Sequence, residues 1–60
     1  MQNIWEEMRE AKDELDVAIA NFNQAIELDV IDYWIYRIKS AQTKYDHLMK
    51  EMRNEEKAAV

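Results

Sequence analysis

Glu27-Leu28-Asp29-Val30-Ile31-Asp32 (ELDVID) is the stretch around which the chain folds back, because the apolar pattern before it is mirrored after it about Leu28. Upstream, Ile4, Met8, Ala11, Leu15, Ala18, Phe22 and Ala25 recur at alternating steps of four and three. That spacing belongs to a helix offering one seam to a partner. Downstream, Ile31, Trp34, Ile38, Ala41, Tyr45, Leu48 and Met52 repeat the pattern. Folding back at Leu28 stacks Ala25 on Ile31, Phe22 on Trp34, Ala18 on Ile38, Leu15 on Ala41, Ala11 on Tyr45, Met8 on Leu48 and Ile4 on Met52, every pair adding to 56. Most layers oppose a small side chain to a large one, which lets two helices approach closely without voids. The pattern predicts an all-α antiparallel two-helix hairpin.

One continuous helix is the rival reading, and nothing in the sequence forbids it outright. It would, however, carry Asp29, Asp32 and Lys39 onto the apolar seam. The hairpin removes that conflict. Asn3 is a good N-cap, with Glu6 three residues later completing a capping box and Glu6 and Glu7 complementing the helix dipole. Asp29 is the expected N-cap of the second helix, with Leu28 packing on Tyr33 as a hydrophobic staple. Lys50, Arg53 and Lys57 suit the negative end of that helix. The expected layout is a single domain over 1–60: helix one about 3–27, a turn about 28–29, helix two about 30–53, and a frayed tail over 54–60.

A chain of 60 residues with no Gly, Pro or Cys has little reason to form strands or irregular loops, which lean on Gly and Pro for their turns. At this size folding buries only about 60% of the unfolded chain's surface. Burial and ordering entropy then nearly cancel. With neither disulfide nor metal to help, association is the remaining source of stability. The net charge of −5 argues against nucleic acid, whose binders meet phosphates with Lys and Arg. Residues 1–28 hold seven acids against Arg9 and Lys12, the whole −5, whereas from Asp29 onward six acids and six bases cancel. The chain has no apolar run of the length of a secretion signal or a membrane span. It reads as cytoplasmic, with no membrane partner.

Heptad labels show which face is left over. With Met8, Leu15 and Phe22 at a, the e positions of helix one are Trp5, Lys12, Ile19 and Ile26; in helix two they are Ile35, Gln42 and Met49. In an antiparallel pair the two e columns share one side of the seam. Trp5, Ile19, Ile26, Ile35 and Met49 therefore gather on one flank, while Glu7, Glu14 and Asn21 meet Val30, Arg37, Lys44 and Glu51 on the other. An apolar patch of that kind marks association. Two hairpins joined through it make a four-helix bundle, the homodimer expected here; a different protein partner on the same flank is the alternative.

Candidate chemistry is sparse. His47, the sole imidazole, stands on the polar side beside Asp46 and reads as a solvated residue rather than a base or ligand. The acids Glu6, Glu10, Asp13 and Glu14 form a solvated face better than a metal site. Ser40 and Thr43 have no His at helical spacing, so nucleophilic catalysis has no support. There is no Gly for a phosphate-cradling loop. No catalytic residue, cofactor or metal is expected. Tyr33, Tyr36 and Arg37 lie off the seam as a possible contact patch for a protein, since the bases are too few for a nucleobase platform.

The run Asp29 to Glu51, DVIDYWIYRIKSAQTKYDHLMKE, with Ile31-Asp32-Tyr33 opening the helix, Ile35-Tyr36-Arg37, and Ala41 followed by Tyr45 and Leu48, resembles the YaaL-like family of short bacterial helical proteins, a domain of unknown function. Ala11 to Phe22 is similar to that family's first helix. The resemblance implies a helical fold and no activity. A weaker similarity is to the short helical hairpins of sporulation phosphorelays, aspartyl-phosphate phosphatases or kinase inhibitors. The phosphatases place Ser and Gln adjacent on the second helix with an Asp; here Ser40, Gln42 and Asp46 are separated. The functional expectation is a non-enzymatic protein-interaction or small regulatory module acting as a homodimer, with a phosphorelay regulator as the alternative.

Overall fold

The structure, a computed structural model, describes residues 3–58, with side chains followed as far as Asn54. It consists of two helices, α1 (Ile4–Gln24) and α2 (Leu28–Ala58), packed against each other as an antiparallel hairpin. α1 starts where the sequence indicates. Asn3 is extended, and its Oδ1 accepts the Glu6 amide at 2.9 Å. The Glu7 amide donates to the Asn3 carbonyl at 3.1 Å, the first bond of the helix.

The turn lies earlier than expected. α1 ends at Gln24 rather than near Glu27, because Ala25 leaves the helical region at φ −73°, ψ 138° while its N–H donates back to Phe22 O at 3.1 Å. The turn occupies residues 25–27, not 28–29, and no described residue has positive φ. A gap without a left-handed residue is what a segment lacking Gly can make. Helix two then begins at Leu28 rather than at residue 30, with the Ile31 amide donating to Glu27 O at 2.9 Å. Asp29 is therefore inside the first turn and not the N-cap; its Oδ1 accepts from the Val30 amide at 3.0 Å.

Electrostatics explains the shift. As the last residue of α1, Glu27 would set an anion against the negative end of the dipole, whereas at the start of α2 both Glu27 and Asp29 meet a positive end. Leu28, expected to pack on Tyr33, is largely exposed, and Tyr33 sets its ring edge against Trp34, with centroids 4.9 Å apart and planes at 79°. Residues 54–58 continue α2, so the expected tail is helical that far; its last two residues lie outside the described residues.

The seam follows the mirrored pattern. Met8, Ala11, Ala18, Ala41 and Leu48 are buried, and around Met8, Ala11 and Leu48 pack Ile4, Tyr45, Met49 and Met52. Leu15, Phe22, Ala25, Ile31, Trp34 and Ile38 are half-buried. Besides Met8 and Leu48, the residues the seam covers are alanines, and among the described residues no large side chain is fully buried. Two helices close one seam, and Leu15 and Phe22 at a positions reach past it and stay half-buried. The rod measures 50 × 17 × 16 Å with a radius of gyration of 14.4 Å, against about 10 Å for a compact chain of this length.

Candidate functional site

The polar edge fixes the register of the two flanks. Lys44 Nζ lies 3.8 Å from Glu14 Oε1 across the seam, residues whose numbers add to 58. Their shared edge is the one expected to be wet. It also carries Asn21, whose Nδ2 donates to the Val17 carbonyl at 2.8 Å, and His47 Nε2 lies 3.1 Å from Glu51 Oε1 nearby, both side chains largely exposed.

With that edge fixed, the opposite flank must carry the e positions as rungs whose numbers add to 54. These are Trp5 with Met49, Lys12 with Gln42, and Ile19 with Ile35. Trp5 is 64% exposed, Ile35 48% and Ile19 41%. Large apolar side chains on a helix face are normally covered to a much greater degree. Met49 is half-buried against the Met8–Leu48 cluster. Lys12 turns its ammonium to Asp16, donating to Oδ1 at 2.9 Å and Oδ2 at 3.2 Å. That hydrogen bond, then the Asp16 charge, raises the Lys12 pKa above its ordinary 10.5.

Ile26, expected in this column, falls in the turn outside α1 and is 90% exposed. Leu28 takes the turn end of the flank instead, one heptad before Ile35, and is likewise exposed. The sequence reading missed Leu28 because it was placed in the turn; the seven-residue step back from Ile35 was the signal that could have found it. Val17 and Val30 are exposed too, singly and away from this flank, as surface apolar residues commonly are. Beside Met49 the flank holds an open hollow of about 240 Å³ lined by Tyr45, Asp46, Met49, Lys50 and Arg53.

Tyr33 and Tyr36 are well exposed and Arg37 is exposed on the outer side of α2, so the structure leaves this patch open. Tyr36 also borders a shallow hollow with Lys39, Ser40 and Thr43. Successive helical residues turn by about 100°, which places Gln42 and Asp46, four residues apart, on one side of α2 and Ser40 on the opposite side. Among the described residues, no three His, Cys, Asp or Glu side chains cluster closely enough to hold a metal ion. Among the described residues, no helix is long and apolar enough to cross a membrane.

Fold and surface together define a helical hairpin with one covered seam and one uncovered apolar flank. The chain belongs to the family described as Protein of unknown function (DUF2508), whose model matches residues 2–57. No curated protein and no solved structure was found to match it.

Proposed function

We propose that this hairpin is a non-enzymatic protein-interaction module that works as a homodimer, covering the Trp5, Ile19, Ile35 and Met49 flank with a second copy and presenting its outer faces to a larger cytoplasmic partner. The observation that carries this reading is the strip of half-exposed to largely exposed Trp and Ile side chains along one side of a rod in which no large side chain among the described residues is fully buried. The chain exposes 5025 Å², more than the roughly 4,100 Å² of a compact monomer of 7.2 kDa, as its elongated 50 × 17 × 16 Å shape requires.

The YaaL-like resemblance fits this reading, since it carries a helical fold and no activity. The phosphorelay alternative is retained as a partner class: Tyr33, Tyr36 and Arg37 would be the patch that docks on a kinase or response-regulator bundle. Its phosphatase form has little support, because Ser40, Gln42 and Asp46 do not share a face; an acyl-phosphate turnover assay tests it directly.

The module reading is tested by comparing the light-scattering mass of Ile35→Glu with that of Tyr36→Ala. Ile35→Glu sets a charge in the flank and is expected to abolish the dimer, whereas Tyr36→Ala removes an outer ring and is expected to leave it intact. Equal masses for both variants, with helix content retained, would overturn the assignment of the flank.

A further inference from the structure

We infer that the second copy docks with its turn at the same end as the first, the two-fold axis running along the bundle, so that α1 of each copy lies against α2 of the other. The inference rests on the homodimer reading and specifies the partner's orientation. Two hairpins stacked through one flank can be related by an axis along the helices or by one across them. Either choice makes all neighbouring helices antiparallel, so helix dipoles do not decide between them.

The rungs do decide. From the open end to the turn the flank reads Trp5 with Met49, Lys12 with Gln42, Ile19 with Ile35, and then the turn end with Leu28. An axis along the bundle sets every rung on its own copy, apolar on apolar. The single polar rung meets itself, where the Lys12 ammonium and the Gln42 carbonyl of the other copy are complementary donor and acceptor. The best arrangement with the axis across the helices centres on the Lys12 and Gln42 rung and sets Trp5 and Met49 on Ile19 and Ile35. It sets Leu28 level with position 56 of the other copy's α2, a glutamate, and leaves Ile26, at 90% the most exposed of the large apolar side chains, uncovered. Other centres in the middle of the flank put the polar rung on an apolar one.

Charge favours the same choice. Residues 1–28 carry the whole net −5, and the rest of the chain is balanced. An axis across the helices would lay the acidic α1 along its own copy; an axis along them lays it against the neutral α2. Residues of α1 and α2 whose numbers add to about 56 share a height. Next to the apolar column this brings Arg9 level with Asp46 of the second copy, and Asp16 level with Lys39. Trp5 of the second copy comes level with Met49, over the hollow that Tyr45, Met49 and Arg53 help to line. There its indole fills apolar space with a guanidinium at the rim.

The absence of cysteine lets single nitroxide labels report this geometry on the full chain. Gln24→Cys lies near the turn and Asp13→Cys near mid-rod, both exposed. With turns together, both labelled dimers should give separations of roughly 30 Å, from helix spacings of about 10 Å and outward-pointing labels. With turns apart, Gln24 is displaced by a further 36 Å or so along the bundle, from about 1.5 Å per residue. A Gln24 distance beyond roughly 40 Å with a short Asp13 distance would overturn the orientation and leave the dimer standing. Absence of a defined distance at both positions would overturn the dimer and the orientation with it.

Discussion

Lys44 and Glu14 meet across the two helices with Nζ 3.8 Å from Oε1, each side chain about half exposed. The pair marks the solvent-facing edge of the hairpin, and its energetic weight should be that of a surface ion pair. Lys44→Ala is expected to cost no more than about 0.5 kcal/mol in urea unfolding, and less in molar salt. A cost above about 1.5 kcal/mol would mean that this edge is covered, and would exchange the roles of the two flanks.

Ala11 has no exposed surface, whereas Ala20 on the same helix faces solvent. A leucine at the first position finds no room in the covered seam and must push the helices apart there. Ala11→Leu should destabilise by about 1–3 kcal/mol, with Ala20→Leu within about 0.5 kcal/mol of wild type. Thermal unfolding of the two variants side by side checks the layer that places Ala11 in the seam.

The Asn3 side chain satisfies the Glu6 amide at the start of α1. Asn3→Ala leaves that donor without its partner and should cost about 1 kcal/mol, while Asn3→Asp should keep most of it. Circular dichroism melts of both variants provide the comparison.

Lys12 holds its proton more tightly in the folded chain because it donates to Asp16 and lies beside that charge. A raised lysine pKa makes a contribution to stability that is complete below the ordinary value of 10.5 and fades as pH rises through the higher folded value. NMR titration of the Lys12 side chain should therefore show a midpoint above 10.5. Asp16→Asn should move it down. An unchanged midpoint in that variant would remove Asp16 as the cause.

The polar rung of Lys12 and Gln42 is expected to define the dimer's register at some cost in affinity, as single polar layers do in helical bundles. Lys12→Leu combined with Gln42→Leu should tighten the dimer and broaden the label-to-label distance distribution. A tighter dimer with an unchanged, narrow distribution would show that the charges at Arg9, Asp16, Lys39 and Asp46 suffice to fix the register.

The seam was legible because its period is long and regular: Met8, Ala11 and Leu48 are where alternating steps of four and three put them. The polar edge was legible for the same reason, and the Glu14–Lys44 pair belongs to it. The turn was not. Glu27 and Asp29 compete to open α2, and a pattern of side chains does not say which carbonyl takes the first helical hydrogen bond; the Ile31 amide chose Glu27. That single choice moved Ile26 out of the apolar column and Leu28 into it. Ile19 and Ile35 kept their places because they lie inside helices whose phase the core fixes, and Trp5, in the first turn of α1, follows the phase of the same helix.

The most direct test of the account is the solution mass of the wild-type chain by sedimentation equilibrium across a concentration series. A second copy on the apolar flank predicts a species of twice 7.2 kDa, dissociating on dilution with loss of helix. A species that stays at the single-chain mass at the highest concentration, with its helix content intact, would contradict it.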